Sequence, residues 1–236
     1  MSNKITFTAN DEYAWEVVDR PLPAHSHLPK WWRDMPTTVD GNKPRLENSL
    51  SNLSPKKCVS FLDSLTSGYI IPLWADVEVR SVSNSDYLPQ INWKPNRPMF
   101  EGKIPGSELV PTPLGYSQWN CKFLNQWMVT TPRGYSVAVN APNGHEGSPF
   151  KAIPAVVDTD KYQGPLYFPM WIKEGFEGVV ERGTPLVQIT PFKREDWTSE
   201  FTSLKDGQLE IIQDRDFHKK IFGWYTSKVW TKKSYR

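Results

Sequence analysis

Cysteine is scarce: Cys58 and Cys121 are the only two in 236 residues, and they form no CxxC pair. That count argues against a thiolate zinc site and a disulfide framework, and a reducing compartment fits. Histidine is nearly as rare, with four in all. An oxygenase facial triad needs His-x-Asp/Glu and a distant His. Here His145 abuts Glu146, His25 and His27 lie in a proline-rich arm, and His218 lies in a helical pattern, so no set meets that spacing. There is no GxSxG elbow, and Gly102, Gly106 and Gly115 form no phosphate loop. No apolar run approaches the length of a membrane span, and the opening MSNKITFTANDEYAWEVV lacks a signal-like apolar stretch. A soluble, unprocessed, cytoplasmic protein is expected. Nor is there an excess of either charge: the formal net charge of +2 demands neither nucleic acid nor membrane.

What the chain has in abundance is proline, 21 residues, and tryptophan, 11 residues. Proline suits edge strands, turns and extended segments rather than long helices. Tryptophan at this density suits a β core and broad packing surfaces, some of them half-exposed at a partner interface.

Three regions emerge. Residues 1–57 read as an extended N-terminal arm with short pieces such as KITFTA and AWEVV, a WW-containing turn in HLPKWWRDMP, and a polar loop over 38–56. Residues 58–194 read as a β core. CVSFLDSLTSG is a helical turn ended by Gly68, and YIIPLWADVEVRSV is a strand. Residues 84–118 form a proline-rich excursion with strands at YLPQINW and near Tyr116. FLNQWMV–TTPRG–YSVAVNA has the alternation of a hairpin. Short strands then recur at roughly the 8–12-residue spacing of an all-β barrel or sandwich. Residues 195–236 read as a helical segment, with Ile212, Phe217, Ile221 and Trp224 on one face of a helix from about 208 to 226. The basic, aromatic tail reads as a solvated face docked on the β domain or a sister subunit, and nucleic acid is not expected as a partner.

The most informative stretch is VVDTDKYQGPL, residues 156–166, an acidic turn between two apolar runs. Taken with TTPRGYSVAVNAP before it and ERGTPLVQITPF after it, it resembles the β-clip core of the dUTP pyrophosphatase and dCTP deaminase superfamily. The matching positions are Pro132, Gly134 and Tyr135; then Val157, Asp158, Asp160, Tyr162 and Gly164; then Arg182, Gly183, Val187, Gln188 and Ile189. The likeness spans residues 130–192, and the β-clip-like part of the chain is taken as 120–194. Lys161 is an insertion before the tyrosine, and NGHEGSPF stands where the family carries Arg-Ser-Ser.

This resemblance implies a mainly β fold with a β-clip-like barrel or sandwich core. It implies Asp158 and Asp160 as catalytic carboxylates, with Asp158 orienting the attacking water. Tyr162, Gly164, Gln188 and Arg133 become substrate-binding residues, the tyrosine against the deoxyribose. Mg²⁺ would arrive on the substrate phosphates, and the assembly implied is a homotrimer. The chain as a whole, with KWWRDMP early and FPMWIKEGFEGVVERGTPLVQITPFKRE late, also resembles a family of tailed-phage and bacterial proteins that brings no activity with it. Two functions follow: a phage-encoded, nucleotide-binding and dNTP-hydrolysing protein, or a non-enzymatic assembly protein such as a virion component.

Overall fold

The alternation in YSVAVN and PLVQITPFK produces β10 (Tyr135–Asn140) and β15 (Pro185–Lys193), which pair antiparallel from Tyr135↔Lys193 to Asn140↔Gln188. The structure, a computed structural model, describes residues 3–43, 46–47, 50–80, 89–102, 104–204, 209 and 225–236. The chain divides into two units, Met1–His27 with Leu65–Arg194 and Tyr235–Arg236, and Leu28–Ser64 with Glu195–Ser234.

The first unit is mainly β, and its described sheets are open rather than closed into a barrel. One sheet runs β1 (Thr6–Ala9), β9 (Tyr116–Thr130), β13 (Pro165–Lys173), β11 (Phe150–Ala152), with β8 (Phe100–Glu101) also on β9. The other runs β12 (Ala155–Val157), β10, β15, β5 (Tyr69–Pro72), β2 (Leu22–Pro23). A three-stranded sheet is made by β14 (Gly178–Val180), β6 (Val77–Arg80) and β7 (Gln90–Trp93).

Pleating turns alternate side chains to one face. Phe123, Trp127 and Val129 of β9 and Phe168, Met170 and Ile172 of β13 therefore join Val137, Val139, Ile71 and Val187 of the other sheet in one buried core. In the middle of the second sheet Ile70 and Gln188, cross-strand partners, are also buried. Such a strand reads as a continuous apolar run because it is covered on both faces.

Three expectations are corrected here. FLNQWMV and YSVAVNA do not form a hairpin: β9 and β10 lie in different sheets, so TTPRG carries the chain from one sheet to the other. Alternation identifies the face a strand buries but not its partner, and both strands bury toward the same core. YIIPLWADVEVRSV is two strands. After Pro72 the backbone of Leu73 bonds to Thr184 O and accepts from Gly183 N, and Asp76 accepts from Arg182 N, so the chain bends into the three-stranded sheet. AWEVV is helical: α1 (Glu12–Val17) is capped by Asp11, whose carboxylate accepts from Ala14 N at 2.9 Å. Within the N-terminal residues, β1 and β2 pair with β9 and β5.

The helical turn before Gly68 is α3 (Val59–Thr66), and Gly68 follows with φ 76°. A Cβ at Gly68 would lie 2.0 Å from Ile189 O, so glycine is required both for the backbone conformation and for the close approach to β15.

In the second unit, α2 (Lys30–Asp34) buries Trp32 and leaves Trp31 41% exposed. Phe61 packs on both rings, with centroids at 6.1 and 5.3 Å. The ammonium of Lys56 donates to Trp32 O and, at 3.2 Å, to Arg33 O, closing the end of α2. The predicted polar loop 38–56 contains structure: β3 (Leu46–Glu47) pairs with β4 (Leu50–Ser51), Thr38 bridges to Leu53, and Thr38, Asn52 and Ser54 are buried. Asp63 accepts from Trp230 Nε1 at 2.8 Å and from Lys233 Nζ at 2.6 Å. The helix predicted over 208–226 lies outside the described residues except at 209, 225 and 226; Tyr225–Val229 form a π-helical turn.

Candidate functional site

The acidic turn, like TTPRG, is a crossing between the two sheets. It leads from β12 to β13, as TTPRG leads from β9 to β10, and the two crossings are bonded to each other. Thr131 N donates to Thr159 O at 3.3 Å, and the two hydroxyls are 2.7 Å apart. Because Thr131 Oγ1 also donates to Tyr135 O at 3.0 Å, its proton is committed there and Thr159 supplies the other. Thr159 is 1% exposed, which fixes the middle of the turn and sends Asp158 and Asp160 out on either side of it.

TTPRG closes with Tyr135 N donating to Pro132 O, and Gly134 adopts φ 86°. A Cβ there would meet nothing within 4 Å, so glycine at this position serves the backbone conformation alone. Its amide then points at Asp160 Oδ2, 2.8 Å away.

Arg194, the residue after β15, binds this corner. Its Nη1 donates to Asp160 Oδ1 at 2.9 Å, Ser136 Oγ at 2.8 Å and Tyr135 O at 3.0 Å; its Nη2 donates to Asp160 Oδ2 at 2.5 Å. Asp160 is 3% exposed as a side chain and both its oxygens are engaged. The Arg194 guanidinium first, and then the Gly134 amide, hold its carboxyl down at about 2. Asp160 raises Arg194 reciprocally. Such a carboxylate is no proton acceptor at neutral pH, so its part is to position the corner.

Asp158 differs. Ser136 donates to its Oδ1 at 2.7 Å, and Arg194 Nη1 lies 3.2 Å from the same oxygen. The side chain is 48% exposed, and Oδ2 has no protein partner among the described residues. One oxygen is thus fixed and the other faces solvent. Arg133, exposed at the tip of the neighbouring crossing, likewise has no partner among the described residues.

The remaining predicted residues are placed as follows. Tyr162 is 48% exposed, folds over its own turn, and donates from its hydroxyl to Pro165 O at 3.3 Å. Gly164 lies under that ring, where a Cβ would come within 3.1 Å of the tyrosine hydroxyl. Gln188 is elsewhere. It is buried, accepting from Asn143 N at 2.9 Å and donating to Ser67 O at 2.7 Å. It sits five residues along β15 from Lys193, roughly 17 Å at the usual strand rise. Asp158, Asp160 and Arg133 therefore share a corner, Tyr162 and Gly164 occupy the far side of the same turn, and Gln188 does not join them.

Ser136 and Arg194 were missed in the sequence. The signal available was register: once Tyr135 faces Lys193 across β10 and β15, Arg194 must arrive beside the entry to β10. Among the described residues no group of three or more His, Cys, Asp or Glu is arranged to hold a metal ion, and no helix is long and apolar enough to cross a membrane. No protein-family model and no curated protein matches the chain.

Proposed function

We propose that the protein is a β-clip-related, phage-encoded nucleotide-binding protein that hydrolyses dNTPs at the Asp158 corner in the host cytoplasm. The observation that carries this reading is the division of labour between the two aspartates. Asp160 is consumed by Arg194 and Gly134, whereas Asp158 is held through one oxygen and keeps the other open on a rigid bend. A carboxylate so placed can accept a proton from an attacking water with little reorganisation. Arg133 would meet the phosphates, and Tyr162 would swing off Gly164 to lie against the sugar. Mg²⁺ commonly binds through one or two carboxylates plus substrate phosphates, and Asp158 offers one such oxygen. Trimeric assembly belongs to the same proposal. The test is incubation of the pure protein with each dNTP and Mg²⁺, following pyrophosphate release, deamination and melting temperature. Turnover lost in Asp158→Asn supports the reading; absence of turnover together with no nucleotide-dependent rise in melting temperature rejects it.

A second reading, a non-enzymatic assembly protein of the virion, is favoured by large apolar side chains in water: Trp197 is 86%, Phe201 95% and Leu114 103% exposed. Mass spectrometry of purified particles tests it, and absence of the protein from them removes it.

A further inference from the structure

The second sheet buries one face in the core and leaves part of the other open beside the Asp158 corner. Val137 and Val139 of β10, Val157 of β12 and Ile189 of β15 pack into the core. Pleating therefore sends Ser136, Ala138 and Asn140 to the opposite face, with Val156 on one neighbouring strand and Thr190 and Phe192 on the other. Ala138 lies between Val156 and Thr190, and Ser136 is paired with Phe192. The central strand thus carries small side chains, and larger ones stand on both sides of it. This makes a shallow trough. Half-buried Ala138 is its floor, and Val156, 66% exposed, and Phe192, 37% exposed, are its walls.

The two ends of the trough differ. At one, Ser136 is bonded to Arg194 Nη1 and to Asp158 Oδ1, so the trough runs into the corner where the second oxygen of Asp158 is open. Arg133 and Lys161 are exposed on the two crossings there. At the other end stands Asn140, also exposed, whose carboxamide can donate and accept at once. Size then selects the occupant. Two strand spacings give a width of about 10 Å, and the steps from Ser136 to Asn140 a length of about 13 Å. That footprint is on the order of 130 Å², against roughly 800 Å² per partner in a stable protein interface. It is too small to seat a second copy, and it accommodates a single flat ring system.

We propose that this trough holds the base of the nucleotide. The ring lies over Ala138 against Phe192 and Val156, Asn140 meets its polar edge, and the phosphates extend past Asp158 toward Arg133 and Lys161. The inference rests on the nucleotide reading and adds where the base lies and what selects it. Apolar walls with an amide at one end and cations at the other match a ligand that is apolar at one end and anionic at the other. Phe192 can stack on any base, so it supplies affinity rather than choice. Asn140 supplies choice, because bases differ in the donors and acceptors along their edges.

Calorimetric titration of the full chain with the α,β-imido analogue of each dNTP and Mg²⁺ tests the proposal. Phe192→Ala should weaken binding of every analogue about 5-fold or more, the low end of what a base gains by stacking on an aromatic ring. Ala138→Leu, which fills the floor, should weaken it about 10-fold or more. Asn140→Ala should narrow the spread of affinities among the four bases. Inorganic tripolyphosphate, which has no base, should bind all three variants as it binds the wild type, and a variant that had merely lost structure would not keep that affinity. Circular dichroism checks that each variant folds. Variants that bind the analogues like the wild type overturn the proposal, as does a parallel loss of tripolyphosphate affinity. A Phe192→Ala chain whose sedimentation changes while its nucleotide affinity does not assigns the face to a contact between copies and overturns it too. Turnover that Asp158→Asn abolishes, with binding that Phe192→Ala and Ala138→Leu leave intact, removes the trough alone. A wild type that neither binds nor turns over any dNTP removes the nucleotide reading and the trough with it.

Discussion

The two ends of β10 are fastened by different chemistry. At its entry, Asp158, Asp160 and Arg194 tie two sheet crossings together with charge. At its exit, neutral groups do the work. Gln188 bridges Asn143 N and Ser67 O, His145 Nε2 lies 2.8 Å from His27 O, and Gly68 passes against Ile189 O. Both ends hold the same strand, yet the groups that fasten the exit are neutral, whereas one of the charged groups that fasten the entry, Asp158, keeps an oxygen open to a ligand. Buried neutral bonds specify position and saturate; a charged cluster at a corner can be saturated at one member and available at the next.

The largest effect that would break this comparison lies at the exit. Gly68→Ala places a methyl in contact with the backbone of β15 and forces an L-residue to positive φ. The melting temperature should fall by about 10 °C or more in calorimetry, with failure to fold as the extreme. At the entry, Arg194→Ala leaves Asp160 buried without its partner, and a loss of roughly 5–10 °C is expected.

Acid then separates the ends without mutation. Asp160 titrates lower in the folded chain, at about 2, than its ordinary 3.8, so its contribution is complete above pH 3.8 and is lost as pH falls through about 2. His27 and His145 are both pushed below the ordinary 6.5, chiefly by burial. Their contribution is present above pH 6.5 and is lost as pH falls through their lower folded values. A plot of melting temperature against pH should show two descending steps, and Asp160→Asn should remove only the more acidic one. Gly134→Ala, strained in φ but meeting no atom, should cost about 1–2 kcal/mol, far less than the same change at Gly68. Asp158→Asn should move the melting temperature by less than about 2 °C while abolishing any nucleotide turnover.

Strands were the legible part of the sequence. YSVAVN and PLVQITPFK were readable because alternating valines and isoleucines have a period of two, and Gly68 because a glycine after an apolar helical turn is a stop signal. Partner choice was not legible, since β9 and β10 bury their faces into one core from opposite sheets and local alternation is identical for a hairpin and a crossing. α1 was hidden by the β-prone Trp15, Val17 and Val18, and Asp11 as its cap outweighed them. Of the corner, Asp158 and Asp160 could be picked out from the turn. Their different fates could not, because the deciding group, Arg194, is 34 residues away from Asp160. Gln188 was expected at the substrate, and its burial was not legible because its bonds to Asn143 and Ser67 come from a loop and a turn distant in sequence.

The pairing of Asp19 with Arg182, a separation of 163 residues, has a consequence for synthesis of the chain. β1 leaves the ribosome long before β9 exists to receive it, and Asp19 longer still before Arg182, and loop closure over such distances is slow. β1 must therefore wait unpaired until β9 is made, and the tie from Asp19 until Arg182 is, which makes this chain a candidate for chaperone capture during its own production.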